Sequence, residues 1–180
     1  MITKDILDFL AIESTFYNSH IHGIHHWRTV ERNGLYLCQF NNADPSVVSY
    51  FAYFHDCKRE NENSDNEHGP RATEFLKLHR SKIDLTDDQF KQLCRACSGH
   101  TFGSLATDIP IATCWDADRL DLDRVGVIRN AKYFTAKEAK RIVIEDDNKV
   151  LRDFGVITQE ISARFSLPRK IFQGLKPNRL

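Results

Sequence analysis

Apolar positions recur along this chain with a helical period. Residues 2–17 place Ile2, Ile6, Phe9, Leu10, Ile12, Phe16 and Tyr17 on one broad stripe, with Lys4, Asp5, Asp8 and Glu13 elsewhere. The spacing predicts a second helix over His25–Phe40, carrying Trp27, Val30, Leu35, Leu37 and Phe40 and ended by Asn41-Asn42. Pro45 fits the first turn of a third helix, with Asp44 as its N-cap. That helix, Ser46–Asp56, reads VVSYFAYF and is apolar on most faces, so it belongs at the centre of the core.

Residues 58–68, KRENENSDNEH, have no period and predict a loop. A fourth helix is expected from Pro70 to Arg80, burying Ala72, Phe75, Leu76 and Leu78. Thr86 begins a fifth, with Asp87 and Asp88 at its positive end, and Ser98-Gly99 stops it. After the loop HTFGSLATD, Pro110 opens a sixth helix that runs to Gly126. Thr135 could cap a short helix AKEAKRIVIEDD, and residues 154–180 read as a short helix and tail. No strand series, repeat or linker interrupts this order, so the expectation is a single all-α domain over residues 1–180.

Composition narrows the function classes. Lys plus Arg and Asp plus Glu both number 25, so net charge is zero, which argues against an extended nucleic-acid surface. No apolar run has the length of a membrane span, and the opening residues do not read as a signal peptide. With five cysteines, an odd number at unpatterned spacings, reduced thiols in a cytoplasm are expected. Cys94 and Cys97 have the spacing of half a zinc ribbon but lack a second close pair, and core packing is the better reading. No phosphate-binding glycine loop of the GxxxxGK[ST] or GxGxxG type occurs.

Histidine changes the picture. Four of the eight histidines fall between His20 and His26. Three places could do chemistry: His26 in HGIHHWRTV, the pair His55-Asp56 closing the most buried helix, and Asp118 in WDADRLD. A polar pair at the end of an apolar run is costly unless satisfied. A divalent cation held by imidazole nitrogen and carboxylate oxygen would satisfy it, and helix capping by His55 and Asp56 would be the plain alternative.

The order His26, His55-Asp56, Asp118 in DADRLD resembles the HD-domain superfamily of metal-dependent phosphohydrolases, whose pattern is H…HD…D on different helices of an all-α bundle. The separations are 29 residues from His26 to His55 and 62 from Asp56 to Asp118. The resemblance covers about residues 20–125, leaving 126–180 as C-terminal helices and tail. It implies that His26, His55, Asp56 and Asp118 hold a metal ion. His26 is picked by the HxxxHxxxV pattern His22, His26, Val30. Some branches add two histidines that hold a second metal bridged by the Asp. His68 and His100 stand where these would fall, with phosphate binding as their alternative role. His22 and His25 are expected behind the ligands or at the substrate, and His20 and His79 at the surface.

The resemblance implies hydrolysis of a phosphate mono- or diester, of a nucleotide or similar small metabolite, by metal-activated water. The metal would be Mn, Fe, Co, Ni, Zn or Mg, as one or two ions. Asp56 would orient or deprotonate the water. Lys58, Arg59 and Arg71 would hold phosphate charge. Several relatives carry a glutamate three residues after the Asp, where this chain has Arg59. Glu60, Glu62 and Glu67 are then alternative proton donors. Asp116 and Asp121 are expected as partners of Arg119 and Arg124, or as acceptors behind a ligating histidine. A two-iron oxygenase, or a nucleotide-binding regulatory module without turnover, are the other readings.

Overall fold

The computed structural model describes residues 2–165, with side chains through residue 158. Eight α-helices and three short 3₁₀ turns are present among these residues, without strands. The helices are α1 (Lys4–Glu13), α2 (Ile24–Leu37), α3 (Pro45–Phe54), α4 (His68–Leu78), α5 (Asp87–Gly99), α6 (Ile109–Arg119), α7 (Lys137–Glu145) and α8 (Asn148–Phe165).

Local chemistry sets most of the boundaries. Thr3 accepts from the Ile6 amide to start α1, and Asp44 accepts from Ser46 ahead of Pro45 in α3. Thr86 and Gln89 form a reciprocal capping box on α5. Helix α3 lies at the centre, with Val47, Val48, Phe51, Ala52 and Phe54 fully buried. It packs against α2, α5 and α6, and α4 packs against α5. Buried Glu31 of α2 accepts from Ser49 and Tyr53 of α3, a polar pin through an otherwise apolar contact. Cys97 lies in this core and Cys94 packs against it.

Several boundaries differ from the pattern of the sequence. The first helix ends at Glu13 instead of residue 17, because the chain turns there and brings Tyr17 edge-on to Trp27. The fourth begins at His68, two residues before Pro70. The sixth breaks after Arg119, and Leu122–Val125 form a separate 3₁₀ turn closed by left-handed Gly126. The seventh is not capped by Thr135. Ala136 is the N-cap, without a side-chain cap bond, and the buried carboxylate of Asp116 on α6 accepts the amides of Thr135 and Ala136 just ahead of the helix. Desolvation pushes the Asp116 carboxyl up to about 6, with those amides opposing the rise.

A smaller core of Leu37, Leu120, Phe134, Ala139, Ile142 and Leu151 joins α7 and α8 to the bundle. Helix α8 begins at Asn148, earlier than the short helix expected after residue 154. The expected tail, with Pro168 and Pro177, lies outside the described residues. No helix of the described residues is long and apolar enough to cross a membrane.

Candidate metal centre

His26 sits in the first turn of α2, and His55 is the C-cap of α3 with Asp56 just beyond it. Asp118 is on the last turn of α6, and His68 begins α4. His100 is the C-cap of α5. These six residues come from five helices and meet at one end of α3. All but Asp118 are buried, and its side chain is 18% exposed.

Two groups of atoms form around one carboxylate. In the first, His26 Nε2 lies 3.1 Å from His55 Nε2, 3.3 Å from Asp118 Oδ1 and 3.8 Å from Asp56 Oδ2. His55 Nε2 is 3.7 Å from Asp56 Oδ2 and 3.8 Å from Asp118 Oδ1. In the second, Asp56 Oδ1 lies 3.1 Å from His68 Nε2 and 3.7 Å from His100 Nε2, and the two nitrogens are 2.7 Å apart. Donors bound at about 2.1 Å to one cation stand roughly 3.0–3.4 Å from each other, close to these separations. His26 with His55 and Asp118, and His55 with Asp56 and His100, could each hold a metal ion.

The other ring nitrogen of each histidine shows why a cation suits the space. His26 Nδ1 donates to Asp121 Oδ2 at 2.7 Å. His55 Nδ1 donates to the Ala52 carbonyl at 3.0 Å, and His100 Nδ1 to the Cys97 carbonyl at 2.7 Å. His68 Nδ1 donates to the Asp65 carbonyl. With the proton on Nδ1, every Nε2 carries a lone pair and faces another lone pair or a carboxylate oxygen. Such an assembly of inward-facing acceptors is unfavourable unless a cation or protons sit between them.

The electrostatics agree. Burial pushes the His55 imidazole down to about 3, so it is neutral near pH 7. Burial also opposes charge on His26, yet hydrogen bonds to Asp118 and Asp121 outweigh it and raise its pKa. Asp56 does the same for His100. Burial would raise the carboxyls of Asp56 and Asp118, but the surrounding imidazoles hold both well below the ordinary range.

The three basic candidates separate. Arg59 is buried, and its Nη1 lies 3.5 Å from both Asp56 Oδ1 and His68 Nδ1. Lys58 turns away, donating to the Glu13 carbonyl at 2.6 Å and lying over the Phe75 ring. Arg71 binds both oxygens of Asp65 at 2.6 Å and the Lys58 carbonyl at 3.1 Å. Both therefore hold the loop between α3 and α4. Asp121 supports His26, while Asp116 accepts the Thr135 and Ala136 amides ahead of α7. Arg119 reaches the carbonyls of Gly103, Ser104 and Tyr133. His20 and His25 are exposed, and half-buried His79 packs against Phe9 and Phe75.

His22 enters the centre by a route that helical spacing does not describe. Helix α2 starts at Ile24 with Gly23 as N-cap, so His22 approaches from the preceding turn. A Cβ at Gly23 would stand 2.4–2.7 Å from the carbonyl oxygens of Tyr17, Ser19 and Phe16, so this tight turn requires glycine. Ser19 Oγ accepts the His22 amide at 2.9 Å and fixes its backbone.

No protein-family model matches the sequence, and no curated protein does. Among solved structures, the chain is similar to the crystal structure of a predicted HD superfamily hydrolase from an uncultured Thermotogales bacterium. The two share 19% identity over 87% of this chain and 91% of that one, with a TM-score of 0.64. At that identity the likeness speaks for architecture, and with the eight-helix topology it establishes that this chain has the HD-domain fold.

Proposed function

We propose that this protein is a metal-dependent hydrolase of phosphate mono- or diesters, acting on a nucleotide or similar small phosphorylated metabolite. The observation that carries the reading is the position of Asp56. One of its oxygens faces His26 and His55, and the other faces His68 and His100. A carboxylate shared between two sets of imidazole lone pairs suits two divalent cations, drawn from Mn, Fe, Co, Ni, Zn and Mg.

In this reading His26, His55, Asp56 and Asp118 would hold the first ion, and Asp56, His68 and His100 would hold the second. Bound there, the ions would polarise a phosphoryl oxygen and acidify a water at neutral pH. Asp56 stays ionised because the imidazoles around it hold its pKa low, so it would serve as a ligand and orient that water by accepting its hydrogen bond. Arg59 gives Nε and Nη2 to the carbonyls of Asn61 and Asn63, which leaves Nη1, beside Asp56, as the atom that would face phosphate charge. Lys58 and Arg71 then serve through the loop they hold. The Nδ1 bonds keep the four imidazoles aimed inward throughout.

The test is purified protein loaded with Mn, Co, Ni or Mg against a panel of phosphate mono- and diesters. Turnover that disappears on chelation and in Asp56→Ala supports the proposal. Folded, metal-loaded protein that turns over no phosphoester overturns it. The paired groups also suit a two-iron oxygenase, for which iron in both groups and oxygen uptake with substrate are the distinguishing result.

A further inference from the structure

Beside His68 Nε2 stand His100 Nε2 at 2.7 Å, Asp56 Oδ1 at 3.1 Å and Thr101 Oγ1 at 3.3 Å. His100 and Asp56 are buried, whereas Thr101 is exposed. Thr101 therefore links the buried second group to the solvent-facing surface. Its hydroxyl does not sit on a loosely held segment. Thr101 follows His100, the C-cap of α5, in a turn closed by the Gly103 amide on the Gly99 carbonyl at 2.7 Å. Arg119 of α6 donates to the carbonyls of Gly103 and Ser104. Trp115 of α6 donates to the Ala96 carbonyl at 3.0 Å and lies so close that a Cβ on Gly103 would stand 2.2 Å from its ring. The helix that carries Asp118 thus fixes the turn that carries Thr101.

The hydroxyl offers what its neighbours do not. An imidazole nitrogen bound to a cation has used its lone pair and gives no hydrogen in that direction, and a carboxylate has no hydrogen to give. An oxyanion held at the second group would be attracted by the ion, yet His68, His100 and Asp56 would supply it no hydrogen-bond donor. Thr101 brings a rotatable hydroxyl hydrogen to the edge of that group.

We propose that Thr101 is a substrate-binding residue whose hydroxyl donates to a phosphate oxygen at the second group. The inference rests on the phosphohydrolase reading and adds a residue to that site. It assigns Thr101 to the anion and not to the metal, which separates it from the imidazoles and carboxylates around it.

The experiment compares wild type, Thr101→Val and Thr101→Ser in the full chain by two calorimetric titrations. One adds Mn²⁺ to metal-free protein, and the other adds inorganic phosphate to Mn²⁺-loaded protein. Valine keeps the shape of threonine without the hydroxyl, and serine keeps the hydroxyl without the methyl. Thr101→Val is expected to weaken phosphate binding roughly tenfold, the scale of one hydrogen bond to a charged group, with Mn²⁺ affinity within about twofold of wild type. Thr101→Ser should bind phosphate nearly as wild type does. Unchanged phosphate affinity in Thr101→Val overturns the proposal, as does a Thr101→Ser that behaves like the valine variant. A parallel loss of Mn²⁺ affinity also overturns it, because the hydroxyl would then support the metal, and so does loaded wild type that takes up no phosphate. Turnover separates the two ideas. Phosphoester hydrolysis by wild type together with hydroxyl-independent phosphate binding sinks the inference alone. Phosphate binding that needs the hydroxyl, in a protein that hydrolyses no phosphoester, sinks the functional reading and leaves Thr101 as part of an anion site.

Discussion

The two histidine groups aim their rings in different ways. In the second group the aim is local. His68 and His100 each turn Nδ1 to the carbonyl three residues earlier, at Asp65 and Cys97. In the first, His55 does likewise, but His26 depends on the carboxylate of Asp121, 95 residues away. What brings the rings together is reversed. His26 and His55 meet because α2 packs along the central helix α3. His68 and His100 meet where α4 and α5 come so close that a Cβ on Gly69 would stand 2.4 Å from the Cys97 carbonyl oxygen. The first group is robust in assembly and sensitive in orientation, and the second is the opposite.

The largest change should come from removing what the groups share. Asp56→Ala takes one oxygen from each, so dialysed protein should retain metal in neither. Phosphoester turnover should fall by roughly 10³-fold or more, read by elemental analysis and a steady-state assay. Gly69→Ala should divide the groups. The added methyl meets Cys97 and the His100 ring, at 2.4 and 3.3 Å, and pushes α4 from α5. The second group should lose its ion while the first keeps one, and urea unfolding should show a loss of roughly 1–3 kcal/mol from overpacking. Retention of both ions would show that α4 and α5 adjust around the methyl.

Asp121→Asn tests the opposite weakness. It leaves the fold and the second pair intact but replaces the charged acceptor behind His26. Affinity of the first group should fall roughly 10–100-fold, with the second unchanged in a two-site titration. The smallest effect is on pH. His26 and His100 have pKa values raised above the ordinary 6.5, against burial, by their carboxylate partners. Without metal, their protonation adds stability that is full below 6.5 and is lost as pH rises through the raised values. Asp56 and Asp118 are depressed, so their contribution is present above the ordinary 3.8 and is lost as pH falls. A bound cation replaces the imidazole protons. The rise in Tm on adding Mn²⁺ should therefore be larger near about pH 8 than near about pH 6, by scanning calorimetry. An equal rise at both values would mean that these histidines do not compete with protons for the ion.

Helix content and the central place of α3 were legible in the sequence because they follow from local rules: apolar period, caps and proline at the first turn. Asp44-Pro45 and Thr86 with Gln89 mark their helix starts by residue type alone. The six residues of the centre were legible through the HD pattern, since residue type and order survive without coordinates. Arg59 was harder to separate from Lys58 and Arg71, because three cations near one site look equivalent until their partners are known. His22 was masked by Gly23, which reads as a weak helical residue and is in fact a cap against three carbonyls. Thr135 has the chemistry of a cap, yet Ala136 is the N-cap, and Asp116 from another helix accepts the amides of both.

By itself, then, the sequence determined the helices, their order and the identity of the chemical groups, all properties of short segments or of residue type. Tertiary structure alone decided which way each ring faces, which cation reaches Asp56 and how the 58–67 loop is held. Those outcomes depend on hydrogen bonds between segments tens of residues apart. Such bonds are chosen by burial and distance, and no local pattern encodes them.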